Sequence, residues 1–124
     1  MITVKKVLAI HQILIKEFGG SEGVRDQGGL ESAISRPFQT FGEQALYPTP
    51  IDKSAAIIES IVKNHPFVDG NKRTGYVLMR LVLMQANLDI EATQEEKYEF
   101  VMKIARGELG FEAIRDWIQQ NLKE

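Results

Sequence analysis

Val77-Leu78-Met79-Arg80-Leu81-Val82-Leu83-Met84 is the stretch whose reading decides the fold. It belongs to a helical segment that starts near Asn71 and runs to about Asn87. Its apolar residues cover every face of a helix, and a helix apolar all round belongs in the middle of its fold. The segment is therefore expected to be central, with the other helices wrapped about it.

Upstream, Ile51 or Asp52 begins a helix with Ala55, Ala56, Ile58, Ile61 and Val62 as its buried stripe. It stops at Asn64-His65-Pro66, because proline disfavours helical geometry in the residue before it. Further back, Val4, Val7, Leu8, His11, Leu14, Ile15 and Phe18 recur at three- and four-residue spacing, with Thr3 as N-cap and Gly19-Gly20 as the stop. A glycine-rich connector, Gly19 to Gly29, leads to a short helix around Leu30 to Ser35, closed by Arg36-Pro37. Downstream, Thr93-Gln94-Glu95-Glu96 has capping-box spacing and opens a helix carrying Phe100, Val101, Ile104 and Ala105, halted at Gly107. A last helix uses Phe111, Ile114, Trp117, Ile118 and Leu122. The pattern predicts an all-α fold, a compact helical bundle. Periodicity is lost only from Phe38 to Pro50, a loop with room for a small hairpin. Its two readings are a functional loop and a surface loop whose aromatics pack on the core. Asp89-Ile90-Glu91 is the other place where a strand would fit.

The 124 residues suit one domain spanning 1–124, large enough to bury a core without a disulfide or metal staple. Lys and Arg number 15 against 17 Asp and Glu, so no basic excess points to nucleic acid. The absence of cysteine removes disulfides, thiolate zinc sites and cysteine nucleophiles. The N-terminal run Met1 to Lys6 lacks the features of a signal peptide. The longest apolar stretch, Val77 to Ala86, is interrupted by Arg80 and Gln85 and falls short of the roughly 20 residues of a membrane span. A soluble, cytoplasmic protein is expected.

One segment breaks a local rule. Lys72 and Arg73 sit in the first turn of the central helix, where the dipole's positive end disfavours cations by some tenths of a kcal/mol each. Such violations cluster at functional sites. An anion bound there accounts for them: backbone N–H groups around Gly70, Asn71 and Lys72 would point at it, and Arg73 would grip two oxygens. The plain alternative is two solvated charges in a surface turn. His65 and Asp69 shift the balance, because both face the same short connection. An imidazole base for an attacking hydroxyl, a carboxylate for magnesium and donors for phosphate charge are the three needs of phosphate chemistry.

The segment His65-Pro66-Phe67-Val68-Asp69-Gly70-Asn71-Lys72-Arg73 resembles the signature H-P-F-x-D/E-G-N-x-R of the Fic/Doc family. Gly29-Leu30-Glu31-Ser32-Ala33-Ile34-Ser35-Arg36-Pro37 looks like that family's second helix, and the short length like its Doc (death-on-curing) branch. The resemblance covers essentially the whole chain. It implies an all-helical bundle with the motif between two central helices. It implies His65 as general base, Asp69 as the Mg²⁺ ligand, and Gly70, Asn71 and Lys72 with Arg73 as the ATP phosphate site. Phe67 would be structural.

Two departures point to a branch. Adenylyl-transferring Fic enzymes usually carry glycine after the motif asparagine and a second arginine three positions beyond the first; here Lys72 and Tyr76 stand there. Doc-like proteins share the lysine, and the resemblance then implies transfer of the ATP γ-phosphoryl group to a threonine of elongation factor Tu, arresting translation. Gly70 is intermediate, since that branch carries alanine. Protein adenylyltransfer is the alternative, and a catalytically silent helical binding module stands behind it. The self-inhibitory pattern S/T-x-x-x-E-G/N of many Fic proteins is missing, so a separate antitoxin is the expected restraint. His11, on an apolar helix face, reads as a satisfied, partly buried histidine, and Trp117 as packing. Arg80, two turns beyond Arg73, suits a phosphate contact or a buried ion pair equally.

Overall fold

A computed structural model describes residues 2–124; Met1 lies outside the described residues. The helices are α1 (Val4–Phe18), α2 (Gln27–Ser35), α3 (Pro50–Asn64), α4 (Asn71–Met84), α5 (Gln94–Ala105) and α6 (Phe111–Gln120). A single 3-10 turn, Arg36–Phe38, follows α2. The expected small hairpin is present, with β1 (Thr40–Phe41) antiparallel to β2 (Gln44–Ala45) and Thr40 opposite Ala45.

Local chemistry sets most helix starts. The Thr3 hydroxyl accepts from the Lys6 N–H, and Thr93 with Glu96 forms the expected capping box. A second capping box, Thr49 with Asp52, starts α3 at Pro50, one to two residues before the expected Ile51 or Asp52. Helix α2 begins three residues earlier than its apolar residues suggest. The Asp26 carboxylate accepts from the Gly29 N–H at 2.9 Å, and a Cβ on Gly29 would meet that carboxylate at 2.6 Å. The carboxylate thus sits close over the bare Gly29 backbone.

Two apolar clusters flank the α3–α4 pair. On one side Ala55, Ile58 and Val62 of α3 and Met79 and Leu83 of α4 meet Phe100 and Ile104 of α5 and Ile114 and Ile118 of α6. Trp117 stacks on Phe100 at 3.8 Å and packs against this cluster, as expected of it. On the other, Ile57 and Ile61 of α3 and Leu78 and Val82 of α4 meet Val7 of α1, Leu30 and Ile34 of α2, and Phe67. Each such aliphatic side chain contributes roughly 1.5–3 kcal/mol by leaving water.

The centre is shared differently from the expectation. Helix α3 buries Ser54–Ile58 and Ser60–Val62, whereas Val77 and Leu81 of α4 are half-buried and Met84 is 52% exposed. The cause is α3's small residues, which admit neighbours on several sides, together with an open cleft beside Val77. The two helices cross closely at Gly75, where a Cβ would meet Val62 Cγ2 at 2.9 Å. Arg80 is resolved as an ion pair, its guanidinium donating to both oxygens of Asp89 at 2.7 and 2.8 Å. Arg36 pins the hairpin segment to α3, donating to the Tyr47 hydroxyl, to Glu59 and to the Ser60 hydroxyl, each at 2.9 Å. Among the described residues no helix is long and apolar enough to cross a membrane.

Candidate active site

Helix α3 ends where Pro66 requires it to, and His65 takes a left-handed conformation at φ 49° and ψ 55°. Its side chain is exposed, and its imidazole makes no hydrogen bond among the described residues. The loop then turns through Phe67, which is buried and stacked face to face on the His11 ring at 3.8 Å. Asn71, the first residue of α4, closes the turn. Its Oδ1 accepts from the Phe67 N–H at 2.9 Å, and its Nδ2 donates to the Phe67 carbonyl at 3.0 Å.

Asp69 is held from three directions. Its carbonyl accepts from His11 Nε2 at 2.8 Å, its Oδ1 from the Gly70 N–H at 2.8 Å, and its Oδ2 from the Ser21 N–H at 3.2 Å. Gly20 makes room for that carboxylate, since a Cβ there would lie 2.7 Å from Oδ2. Gly70 follows at φ 78°, with Ile15 and His11 on its other side; a Cβ would sit 3.1 Å from Ile15 Cδ1. The left-handed turn favours glycine here, and a Cβ would press on the Ile15 side chain of α1.

Helix α4 starts with no side-chain cap and no acidic residue in its first turn. The N–H groups of Asn71, Lys72 and Arg73 are the orphan donors of a helix start. The Gly70 N–H, expected among the anion donors, is spent on Asp69, and the Asn71 side chain is spent on Phe67. What these two residues leave for an anion is the Asn71 N–H. Lys72 and Arg73 are exposed, and neither has an acidic partner among the described residues. The Arg73 guanidinium lies over the Phe18 ring, 4.1 Å from its centroid, an arrangement that orients the group and leaves its N–H edges unpaired.

Asp69, Gly70, Asn71, Lys72 and Arg73 open onto one cleft of about 430 Å³ between α4 and α5, whose α5 wall includes Lys97 and Tyr98. His65, at the other end of the loop, is not among its lining residues. Tyr76 lines the cleft one turn below the cations, with its hydroxyl buried and without a partner among the described residues; burial pushes the phenol up to about 12. The structure thus gathers five of the six expected site residues at one opening and leaves His65 outside its lining.

Sequence reading missed the residues that hold the loop. His11 is satisfied and 4% exposed, as expected, yet the bond that satisfies it fixes Asp69. The connector supplies the rest: Val68 N–H donates to the Gly23 carbonyl, and the Arg25 and Asp26 N–H groups donate to the Pro66 carbonyl. Its glycine content signalled only a loop. Nothing in the spacing of Lys97 and Tyr98 pointed to the cleft.

A model of the Fic/Doc family matches residues 1–83, from α1 to near the end of α4. The protein named Toxin Doc from Mycolicibacterium smegmatis is 37% identical over 84 residues, covering 63% of this chain and 65% of that protein. The protein named Protein kinase doc from Escherichia phage P1 is 24% identical over 119 residues, covering 96% of this chain and 93% of that protein. The protein named Protein adenylyltransferase Fic from Drosophila melanogaster is 30% identical over 123 residues, which is 84% of this chain but 25% of that protein. The chain thus spans just under two-thirds of the mycobacterial relative and a quarter of the fly one.

Proposed function

The chain belongs to the Fic/Doc family, and from that premise we propose that residues 1–124 form one enzymatic domain, the toxin of a type II toxin–antitoxin pair. It moves the γ-phosphoryl group of ATP to a protein hydroxyl, for which a threonine of elongation factor Tu is the target. The observation that carries this reading is the start of α4. Orphan N–H groups and two cations without acidic partners among the described residues face a cleft of about 430 Å³, and phosphate is among the anions such a helix start binds.

His65 takes the proton of the target hydroxyl as its oxygen bonds to the γ-phosphorus; the bond from that phosphorus to the bridging oxygen breaks and ADP leaves. Imidazole is the side chain whose charge changes near neutral pH, which suits it to this step. The N–H groups of Asn71, Lys72 and Arg73 and the Arg73 guanidinium stabilise the charge on the phosphate oxygens. Asp69 fits Mg²⁺, because each of its oxygens accepts one backbone N–H and keeps a lone pair, and Mg²⁺ needs only one or two carboxylates beside phosphates and water. When bound, the ion neutralises phosphate charge. Lys72, in place of the adenylyltransferase glycine, narrows the subsite next to the anion donors, and Tyr76 supplies no second guanidinium. Both features support phosphoryl over adenylyl transfer. A cognate antitoxin restrains the enzyme, and the reaction takes place in the cytoplasm, where elongation factor Tu works.

The test is incubation with bacterial elongation factor Tu, ATP and magnesium, followed by intact mass. A gain of about 80 Da with label from γ-labelled ATP is expected, whereas a gain of about 329 Da with label from α-labelled ATP means adenylyl transfer and overturns the kinase reading. Growth arrest on expression should vanish with His65→Ala. Equal toxicity of that variant would mean that the chain acts by binding.

A further inference from the structure

The ring of His65, the base in this scheme, makes no hydrogen bond among the described residues. His65 is also a non-glycine residue at φ 49°, a left-handed conformation unfavourable to a residue with a Cβ, which persists only when the surroundings impose it. Besides Pro66, which ends the helix, Arg25 makes most of the contacts that hold it. Arg25 Nε donates to the His65 carbonyl at 2.8 Å, its Nη2 to the Asn64 carbonyl at 2.9 Å, and its backbone N–H to the Pro66 carbonyl at 2.8 Å. Three consecutive carbonyls, at the negative end of α3 and just beyond it, thus accept from Arg25. The guanidinium carries charge to orphan carbonyls that a left-handed helix end leaves unpaired.

An ion pair does not account for this arginine. Arg25 is exposed, and among the described residues it has no acidic partner. Fixing the backbone at 64–66 fixes the direction in which the His65 Cα–Cβ bond leaves the loop. The Asp69 end is tied through His11 of α1 and through Ser21, which shares the connector with Arg25, so the base and the anion site have different anchoring residues.

We propose that Arg25 is a positioning residue for His65, acting through the main chain of the α3 end; the proposal rests on the phosphotransfer reading above. A guanidinium that merely stabilises the fold would leave turnover alone once the protein is folded. A positioning guanidinium changes kcat without changing how ATP is held, because the anion donors have other anchoring residues.

The experiment compares Arg25→Gln and Arg25→Lys with the unaltered protein by thermal melting, by kcat and KM for ATP, and by the NMR signal of the His65 ring. That signal is assigned with His65→Ala; His11 gives the only other histidine signal. For folded Arg25→Gln, kcat should fall by about 10- to 100-fold. KM for ATP should stay unchanged, and the His65 signal should broaden or split. Arg25→Lys, which offers a point charge without the fork, should recover part of kcat. Unchanged kcat in a folded Arg25→Gln, or loss of kcat and ATP affinity together, overturns the proposal. If Arg25→Gln does not fold, Arg25→Lys decides alone: a kcat and a His65 signal equal to the unaltered protein's refute the role. If the unaltered protein transfers no phosphoryl group, the earlier reading has failed. The His65 signal still decides this one, since an undisturbed ring in Arg25→Gln overturns it.

Discussion

Asn71→Ala should be the most damaging single substitution at the site, and through stability rather than chemistry. The Phe67 N–H and carbonyl both pair with the Asn71 amide, at 2.9 and 3.0 Å. Among the described residues neither group has another hydrogen-bond partner. Phe67 is 1% exposed and Asn71 8%, so truncation strands two buried polar groups. Each costs about 1–3 kcal/mol when left unpaired, and some water entry keeps the sum near 3 kcal/mol. For a chain of 124 residues that lowers the melting temperature by about 10 °C. Thermal melts followed by far-ultraviolet circular dichroism measure it, with Lys72→Ala as the control, since Lys72 is exposed and its melt should not move. Asn71→Asp should cost nearly as much, because it keeps an acceptor for the N–H but turns a second oxygen on the Phe67 carbonyl. A melt of Asn71→Ala within about 3 °C of the unaltered protein would refute the idea that this amide holds the loop.

Two further outcomes follow from the same side of the molecule. Tyr76→Phe should leave the protein as stable or raise its stability by about 1 kcal/mol, because the buried hydroxyl has no partner among the described residues. Burial raises this phenol to about 12 in the folded protein, so ionisation favours unfolding as the pH climbs from about 10 to 12; urea midpoints over that range should fall less in Tyr76→Phe. Asp89 is held at about 2, first by its hydrogen bonds from Arg80 and then by the Ile90 N–H, against an ordinary 3.8. A lowered folded value means the pair stabilises fully above about pH 4 and loses that contribution as the pH falls towards 2. Exposures of 38% and 29% for the two side chains cut the bare figure to about 1 kcal/mol by solvent screening. Asp89→Asn should show that deficit at neutral pH and none near pH 2; an equal deficit at both would refute the ion-pair account.

Local signals carried much of the fold. Thr3, Thr93 with Glu96, and Pro66 act within four residues of themselves, and the helices start or stop where they say. The glycine pair Gly28-Gly29 hid the first turn of α2, because its helical start is made by the Asp26 carboxylate rather than by apolar spacing. The apolar run of α4 was legible as a core helix, but composition does not say which of its faces meets a neighbour and which a cleft. Val77 lies on the cleft and Leu78 in the core, one residue apart.

At the site, the sequence by itself determined that cations stand where a helix start prefers acids and that an imidazole and a carboxylate bracket the same turn. Those are properties of neighbours along the chain, and dipole and proline sterics act at that range. Tertiary structure alone decided what holds them. His11 reaches Asp69 across 58 positions and Arg25 reaches His65 across 40. Neither pairing has a local signature, because each hydrogen bond exists only once α1 and the connector have packed against the α3–α4 turn and brought donors to carbonyls that no nearby residue can satisfy.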